Sequence, residues 1–287
     1  MTDAAFQIRP PERATSGVVF ASPHSGRHYP AAFLRQTVLD SHEIRSSEDA
    51  FVDQLYQDAP DFGATLMTAT YPRAYLDLNR AADELDPALI HGVPKRTPNP
   101  RINSGLGVIP RVVARSRAIY RGKLSGAEAQ HRIKSVWEPY HCALQNLLNQ
   151  RRAEFGQAIL VDCHSMPSEA VANVVHHSTR TPEVILGDRF GASASGAVVD
   201  RIEAAFQDAG FYVLRNAPFA GAYVAKHYGR PAHGQHCVQV ELNRALYMDE
   251  AQITPRADFD AFRAVLNNVI RDIAQIGQAS DVPLAAE

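Results

Sequence analysis

The sequence predicts an α/β domain built on a largely parallel or mixed sheet. Two observations carry this. Short apolar runs of strand composition alternate with stretches of helical periodicity. The polar residues of unusual chemistry gather where those apolar runs end, and in open α/β sheets ligands sit beyond the carboxyl ends of the strands.

The elements follow in chain order. Residues 17–22 (GVVFAS) form a short β-branched and aromatic run, a buried strand that stops at Pro23. Ser46 or Ser47 is placed to cap a helix over 48–59, where Phe51, Val52, Leu55, Tyr56 and Ala59 make a core-facing stripe. Residues 64–70 read as a strand and 75–79 as a further one. From 87 to 107 the chain is rich in Pro, Gly and Asn, which predicts a long loop of the kind that is usually functional or disordered. Ser125-Gly-Ala-Glu128 is a capping-box pattern opening a helix, and Pro139 is expected to kink or split it before Arg152. Residues 158–163 (AILVDC) are the clearest strand, and 184–186 a weaker one. Val198, Val199, Ile202, Ala205 and Phe206 mark a helix that Gly210 ends. Strands follow at 211–214 and 237–242. A closing helix spans 259–276, with Phe262, Leu266, Val269, Ile270 and Ile273 on one face. Residues 1–14, with Pro10 and Pro11, and residues 278–287 read as loose ends.

Composition narrows the function. The 287 residues are 45% hydrophobic and 21% charged, enough for a full core. With no internal repeat, one large domain over 1–287 fits the length. Lys plus Arg number 29 and Asp plus Glu 31, so the net charge is −2. That lacks the global field of a nucleic-acid binder. No apolar run approaches the roughly 18 residues of a membrane span, and the N-terminus has no apolar signal region. Cys142, Cys163 and Cys237 are odd in number and far apart, which predicts a reducing cytoplasm rather than a disulfide framework. Oligomeric state is left open.

Three strand ends carry the chemistry. The first runs into Pro23-His24-Ser25-Gly26, and the strand from 158 runs into Asp162-Cys163-His164-Ser165. The strand from 237 contains Glu241 and runs into Asn243-Arg244. Alternation puts Asp162 and His164 on one face and Val161 and Cys163 on the other. It groups Gln239, Glu241 and Asn243 opposite Val238, Val240 and Leu242. A carboxylate in such a strand needs a metal, an arginine or a reaction as partner. Two histidines at separate strand ends plus a carboxylate suit a zinc-type site with an open position for water. The chain holds no HExxH, CxxC or HxxE spacing, so a hydrogen-bonded core role for each histidine stays open from position alone.

Other constellations are weaker. His176 and His177 are adjacent and point to opposite sides of an extended chain. His233 and His236 lie in a Gly-rich stretch that reads as loop. There is no G-x-S-x-G, Walker or G-x-G-x-x-G motif. Arg111, Arg115, Arg117, Arg121 and Lys123 form a local basic stretch, a solvated face or an attraction for anionic substrates. Asp77-Leu-Asn-Arg80 and Glu241-Leu-Asn-Arg244 look alike. Arginine's planar fork recognises carboxylates bidentately, so Arg80 and the nearby Arg73 suggest an acidic or amino-acid-like substrate. The alternative is that they pair with Asp77, Asp83 or Glu84.

At these residues the chain resembles the N-formylglutamate amidohydrolases. The matching pieces are SPHSG at 22–26, the SEDAFVDQLY run from Ser47, DLNR at 77–80 and GLGVIPR at 105–111. They continue with VDCHSMPS at 161–168, ILGDR at 185–189, GAYVAKHYGRP at 221–231 and QVELNRALYMDE at 239–250. The pieces stand in family order across roughly 17–250. DLNR, DCH and the strand-borne glutamate also look like pieces of aspartoacylases and zinc carboxypeptidases.

The resemblance implies a phosphorylase/hydrolase-like fold, a three-layer α/β/α sandwich with a mixed central sheet. It implies a metal-dependent amidohydrolase, with one Zn2+ or another divalent ion, acting on a small-molecule N-acyl amino acid. N-formyl-L-glutamate is the leading substrate, cleaved to formate and glutamate in histidine breakdown. His24 and His164 become the expected ligands. The carboxypeptidase relatives carry a glutamate three residues after the first histidine, where this chain has Arg27. The third ligand is then expected at the start of the helix at 48, with Asp49 aligned best and Glu48 the alternative. By the same resemblance Glu241 is the general base, and Arg80 and Asn79 hold a substrate carboxylate. Arg73 and Arg244 serve the second carboxylate or the oxyanion. Two alternatives remain: a deacylase or carboxypeptidase-like amidase on another N-acyl amino acid or peptide, and a catalytically silent ligand-binding protein. Retention of Glu241 beside both histidines argues against silence, since pure binding needs no base.

Overall fold

The computed structural model describes residues 4–94, 99–172 and 180–278. Its centre is a seven-stranded sheet. The strands are β1 (Phe6–Arg9), β2 (Val18–Ser22), β3 (Thr65–Ala69), β4 (Ala158–Met166), β5 (Val184–Gly187), β6 (Val213–Arg215) and β7 (Gln235–Asn243). Their spatial order is β1-β3-β2-β4-β7-β5-β6. β3, β2, β4 and β7 run parallel. β1 pairs antiparallel with β3 and β5 antiparallel with β7, while β6 is parallel to β5. The sheet is therefore mixed, with a parallel centre.

The helical segments are α1 (Ala31–Gln36), α2 (Val52–Leu55), α3 (Pro100–Asn103), α4 (Gly126–Arg132), α5 (Glu138–Phe155), α6 (Gly196–Asp208), α7 (Tyr223–Tyr228) and α8 (Phe259–Ile276). They cover both faces of the sheet. Val18, Phe20, Val161, Cys163, Val238 and Val240 pack with the apolar stripes of α6 and α8. Val19, Ala21, Leu160 and Cys237 pack on the other face with Tyr140, Leu144 and Leu148 of α5 and with α7. Each fully buried Val, Leu, Ile or Phe contributes about 1.5–3 kcal/mol, so two such layers account for a sheet buried on both sides. Alternation along β4 and β7 is as the sequence predicts: the Val161/Cys163 and Val238/Val240 set faces one layer, leaving Asp162, His164, Gln239 and Glu241 on the other side.

Several local expectations are corrected. The predicted helix over 48–59 shrinks to α2 and a 3-10 turn at Ala59–Phe62. Phe51 takes a left-handed conformation at φ 67°, which no α-helix accepts, and this frees residues 48–50 from helical geometry. Ser46 caps nothing; its Oγ donates to the Glu43 carbonyl at 2.7 Å. Residues 75–79 form turns rather than a strand, because Asp77 Oδ1 accepts from the Asn79 amide at 2.8 Å and bends the chain locally. The N-terminal stretch is not wholly loose, since β1 pairs with β3 over four residues. β7 starts at Gln235, so His236 lies in a strand and accepts from the Ser195 amide. The predicted strand at 211–214 appears as β6.

The break expected at Pro139 takes the form of a π turn at Ile133–Trp137 between α4 and α5, with Pro139 in the first turn of α5. The π turn lies where proline's missing N–H interrupts the regular i→i−4 ladder. α4 opens as expected, with Ser125 Oγ accepting from the Glu128 amide. The 87–107 stretch contains α3, capped by Asn99. His176 and His177 lie outside the described residues, as does the C-terminal tail from 279. Gly277 closes α8 against the sheet, its carbonyl accepting from Gly17 N at 2.8 Å. Among the described residues no helix is long and apolar enough to cross a membrane.

Candidate active site

β4 and β7 supply the rigid part of the site. His164 of β4 and Glu241 of β7 are register partners, as are Asp162 and Gln239. β2 neighbours β4 on its other side, so the chain leaving β2 brings His24 to the same sheet end. Asp49 arrives from the irregular turn before Phe51, its amide donating to the His24 carbonyl at 3.0 Å.

These approaches converge. His24, Asp49 and His164 are buried, and one ligand atom from each lies within 4.8 Å of the others. Asp49 Oδ2 is 2.9 Å from His164 Nδ1 and 3.4 Å from His24 Nδ1. The far side of each imidazole meets a carboxylate: His24 Nε2 is 2.7 Å from Asp77 Oδ1, and His164 Nε2 is 3.1 Å from Asp162 Oδ2. Metal-binding histidines are oriented in this way. His24 Nδ1 is buried and has no hydrogen-bond partner among the described residues, which suits an atom able to ligate a metal ion. The donor set, two imidazoles and a carboxylate, could hold a divalent metal ion.

Glu48 does not join the group. Its carboxylate turns the other way, accepting from Tyr29 Oη at 2.5 Å and pairing with Arg45 at 3.1 Å. Asp49 is instead held by Arg244, whose Nη2 donates to Oδ1 at 2.9 Å while Nε reaches Ser165 Oγ. Arg27, at the position where the carboxypeptidase relatives carry glutamate, pairs with Asp53 at 3.2 Å.

The electrostatics are those of a desolvated ion cluster. Burial pushes the Asp49 carboxyl up, but the hydrogen bond from His164 and the facing His24 imidazole overcome it and hold it well below the usual range. Burial likewise opposes ionisation of Asp77, and Arg73, His24 and Arg80 outweigh it. Burial lowers His164, and the Asp162 charge reverses that and carries it well above an ordinary histidine. Glu241 moves the other way. Burial pushes it up to about 7, the positive His164 pulls against this, and Asp49 adds to it. A carboxyl near 7 is suited to take and return a proton at neutral pH.

The remaining candidates divide. Arg73 Nε donates to Asp77 Oδ2 at 3.0 Å. Arg73 and Arg244 are thus committed to the carboxylates that orient or complete the trio. Asn79, an expected substrate contact, spends its amide internally. Nδ2 lies 3.1 Å from His164 Nε2, and Oδ1 accepts from the Val224 amide at the start of α7. Arg80 differs again. Its Nε and Nη1 donate to the Leu106 and Asn79 carbonyls, and no carboxylate pairs with it among the described residues. Burial lowers its pKa; Asp77 opposes that, while Arg73 and Arg101 add to it. A buried guanidinium without a counter-ion is a ready anion subsite.

Sequence reasoning misses the roles of Asp77, Asp162 and Gln239. Gln239 donates to Glu241 Oε1 at 2.8 Å and fixes its position. The alternation of β4 and β7 places Asp162 and Gln239 on the site face, and that is the available signal.

His24, Asp49, His164 and Glu241 open into a cavity of about 540 Å³ that Arg73, Arg80 and Arg244 also line. A larger cavity of about 880 Å³, bordered by Leu85, Ile90 and Ile102, contains none of these groups, so the chemistry belongs to the smaller one.

Comparison with known proteins gives the family. The pattern of the N-formylglutamate amidohydrolase family matches residues 16–248, a span that holds every residue of the trio and Glu241. The chain belongs to that family. An N-formylglutamate deformylase of Pseudomonas aeruginosa is 31% identical over 274 residues, covering 93% of this chain and 96% of that protein. One from Pseudomonas putida is 30% identical over 239 residues, covering 82% and 83%. A solved N-formylglutamate amidohydrolase from Ralstonia eutropha JMP134 superposes with a TM-score of 0.88 at 35% identity, over 96% of this chain and 99% of that one. The family membership and the α/β fold with a mixed central sheet, both expected from the sequence, are therefore established for this chain.

Proposed function

We propose that this family member hydrolyses the N-formyl amide of N-formyl-L-glutamate to formate and glutamate, using a divalent ion at His24, Asp49 and His164. The observation that carries the metal reading is the convergence of two imidazole Nδ1 atoms on one Asp49 oxygen, with each Nε2 turned to a carboxylate. The names of the relatives support the substrate.

A bound zinc-type ion would supply Lewis acidity, lowering the pKa of water and polarising the formyl oxygen. The protein's own residues do the rest. Glu241, deprotonated at neutral pH or above, takes the proton of the attacking water as the C–O bond forms. It then returns that proton to the amide nitrogen as the C–N bond breaks. Gln239 holds Glu241 in place through the 2.8 Å bond to Oε1. Asp77 and Asp162 fix the two imidazole planes. Arg80 receives a carboxylate of the substrate. The three free cysteines, two of them buried, fit a reducing compartment such as the cytoplasm.

The test is formate release from N-formylglutamate by the purified protein, with metal analysis of the same sample. Loss of activity on chelation and recovery on adding zinc are expected. No formate release sinks the substrate, and chelation without effect sinks the metal.

A further inference from the structure

The basic stretch at 111–123 remains without a role, and its geometry is specific. Residues 111–119 fold into a narrow hairpin: Val112 bridges Ala118, and the Val113 amide donates to the Arg117 carbonyl at 2.9 Å. Both arms are tied down by ion pairs, Arg111 to Asp86 at 2.9 Å and Arg117 to Glu43 at 2.9 Å. The tip is strained. Arg115 and Ser116 are consecutive non-glycine residues at φ 57° and 56°, in the left-handed region. Such conformations are strained for residues with side chains and persist where the surroundings over-determine them, commonly at ligand clamps. Arg115 is exposed, lines the active-site cavity and has no ion pair among the described residues. It stands on the wall between that cavity and a smaller one of about 400 Å³.

The cavity therefore offers cations at two depths. Arg80 is buried beside Asn79, whose amide touches His164, so it lies close to the scissile bond. Arg115 sits at the mouth. In an N-formyl amino acid the α-carboxylate hangs on the carbon that bears the scissile nitrogen. A side-chain carboxylate lies farther out, by two methylenes in glutamate.

We propose that Arg115 reads the side-chain carboxylate of the substrate while Arg80 takes the α-carboxylate, which makes Arg115 the residue that selects acidic over neutral side chains. This rests on the amidohydrolase reading above and adds to it the source of side-chain specificity.

The test compares N-formylglutamate with N-formylglutamine, an isostere that lacks only the charge. The wild type is expected to favour glutamate in kcat/KM. A charge-assisted hydrogen bond to the substrate is worth about 10- to 100-fold, so Arg115→Ala should erase a preference of that size, chiefly through the KM for glutamate. The glutamine analogue should lose far less, and Arg115→Lys should keep part of the preference. Ser116→Gly, which relaxes the tip and keeps the arginine, should retain it. A wild type without preference overturns the inference. So does an Arg115→Ala variant that keeps the preference or slows both substrates equally, or an Arg101→Ala variant that abolishes it, Arg101 being a second exposed arginine that lines the same cavity. Wild-type protein that hydrolyses neither substrate overturns the amidohydrolase reading itself, a distinct outcome.

Discussion

His164 and Glu241 face one another across the parallel pair β4 and β7, in direct register. One interstrand spacing, about 4.8 Å, separates their backbones, and both side chains project to the same face. A metal-ligand candidate and the proposed base are thereby held on adjacent strands of the central sheet.

Glu241→Gln keeps shape and removes proton acceptance. A positioned general base contributes about 10²–10⁴-fold, so kcat should fall by that much while metal content stays at the wild-type level. The carboxyl sits at about 7 through burial. Activity should therefore rise with pH as Glu241 deprotonates, and a bound cation should move that acidic limb below 7 by favouring the carboxylate. Near-normal turnover of the variant would move the base to another residue.

Asp49→Asn and Glu48→Gln separate two neighbours. Asp49 faces both imidazoles, and Glu48 faces Tyr29 and Arg45. Metal content of the purified variants should collapse for Asp49→Asn and hold for Glu48→Gln. Asp77→Asn should weaken metal affinity about 10- to 100-fold in chelator competition, since it removes the carboxylate that orients His24. Equal metal retention in all three variants would remove the trio as a binding site.

Arg80→Ala should raise KM more than it lowers kcat, because a carboxylate that takes no part in the bond change is bound alike in ground and transition state. Arg80→Lys should rescue poorly, since a point charge does not replace the planar fork. A kcat effect with unchanged KM would contradict a binding role.

His141 sets an acid limit on stability. Burial drives it down to about 3, with the Leu78 carbonyl opposing and His227 adding to the fall. Its Nε2 lies 3.0 Å from that carbonyl and its Nδ1 2.8 Å from Tyr228 Oη. The folded protein keeps it neutral, whereas the unfolded chain protonates it near 6.5. Its contribution is complete above that value and is lost as pH falls toward 3, at about 1.4 kcal/mol per unit. Denaturant unfolding at pH 7 and 5.5 should show a steeper loss for wild type than for His141→Gln, which cannot titrate. Parallel losses in the two proteins would assign the acid sensitivity elsewhere.

Much of the site is legible in the residue order because strand chemistry is local. Alternation alone puts Asp162 with His164 and Gln239 with Glu241, and apolar runs ending at His24 and His164 mark one sheet end. The family motifs add the expected partners in order. The stripe over 48–59 predicts a longer helix than forms. The stripe itself is real, with Val52, Leu55, Tyr56 and Ala59 all buried, but the left-handed Phe51 that interrupts it has no signature in periodicity.

By itself, then, the sequence determined the α/β class and the faces of β4 and β7, which follow from side-chain period and composition within a few residues. The two histidines as ligands and the strand-borne glutamate as base were expectations that the family motifs added. Tertiary structure alone decided which acid joins them. Asp49 and Glu48 are adjacent, and a turn through Phe51 sends one to histidines and the other to Tyr29 and Arg45. It also divided the arginines, committing Arg73 to Asp77 and Arg244 to Asp49 while leaving Arg80 and Arg115 without carboxylate partners among the described residues. His164 and Asp49 stand 115 residues apart in the chain. Their meeting depends on strand order and loop path, which no local pattern encodes.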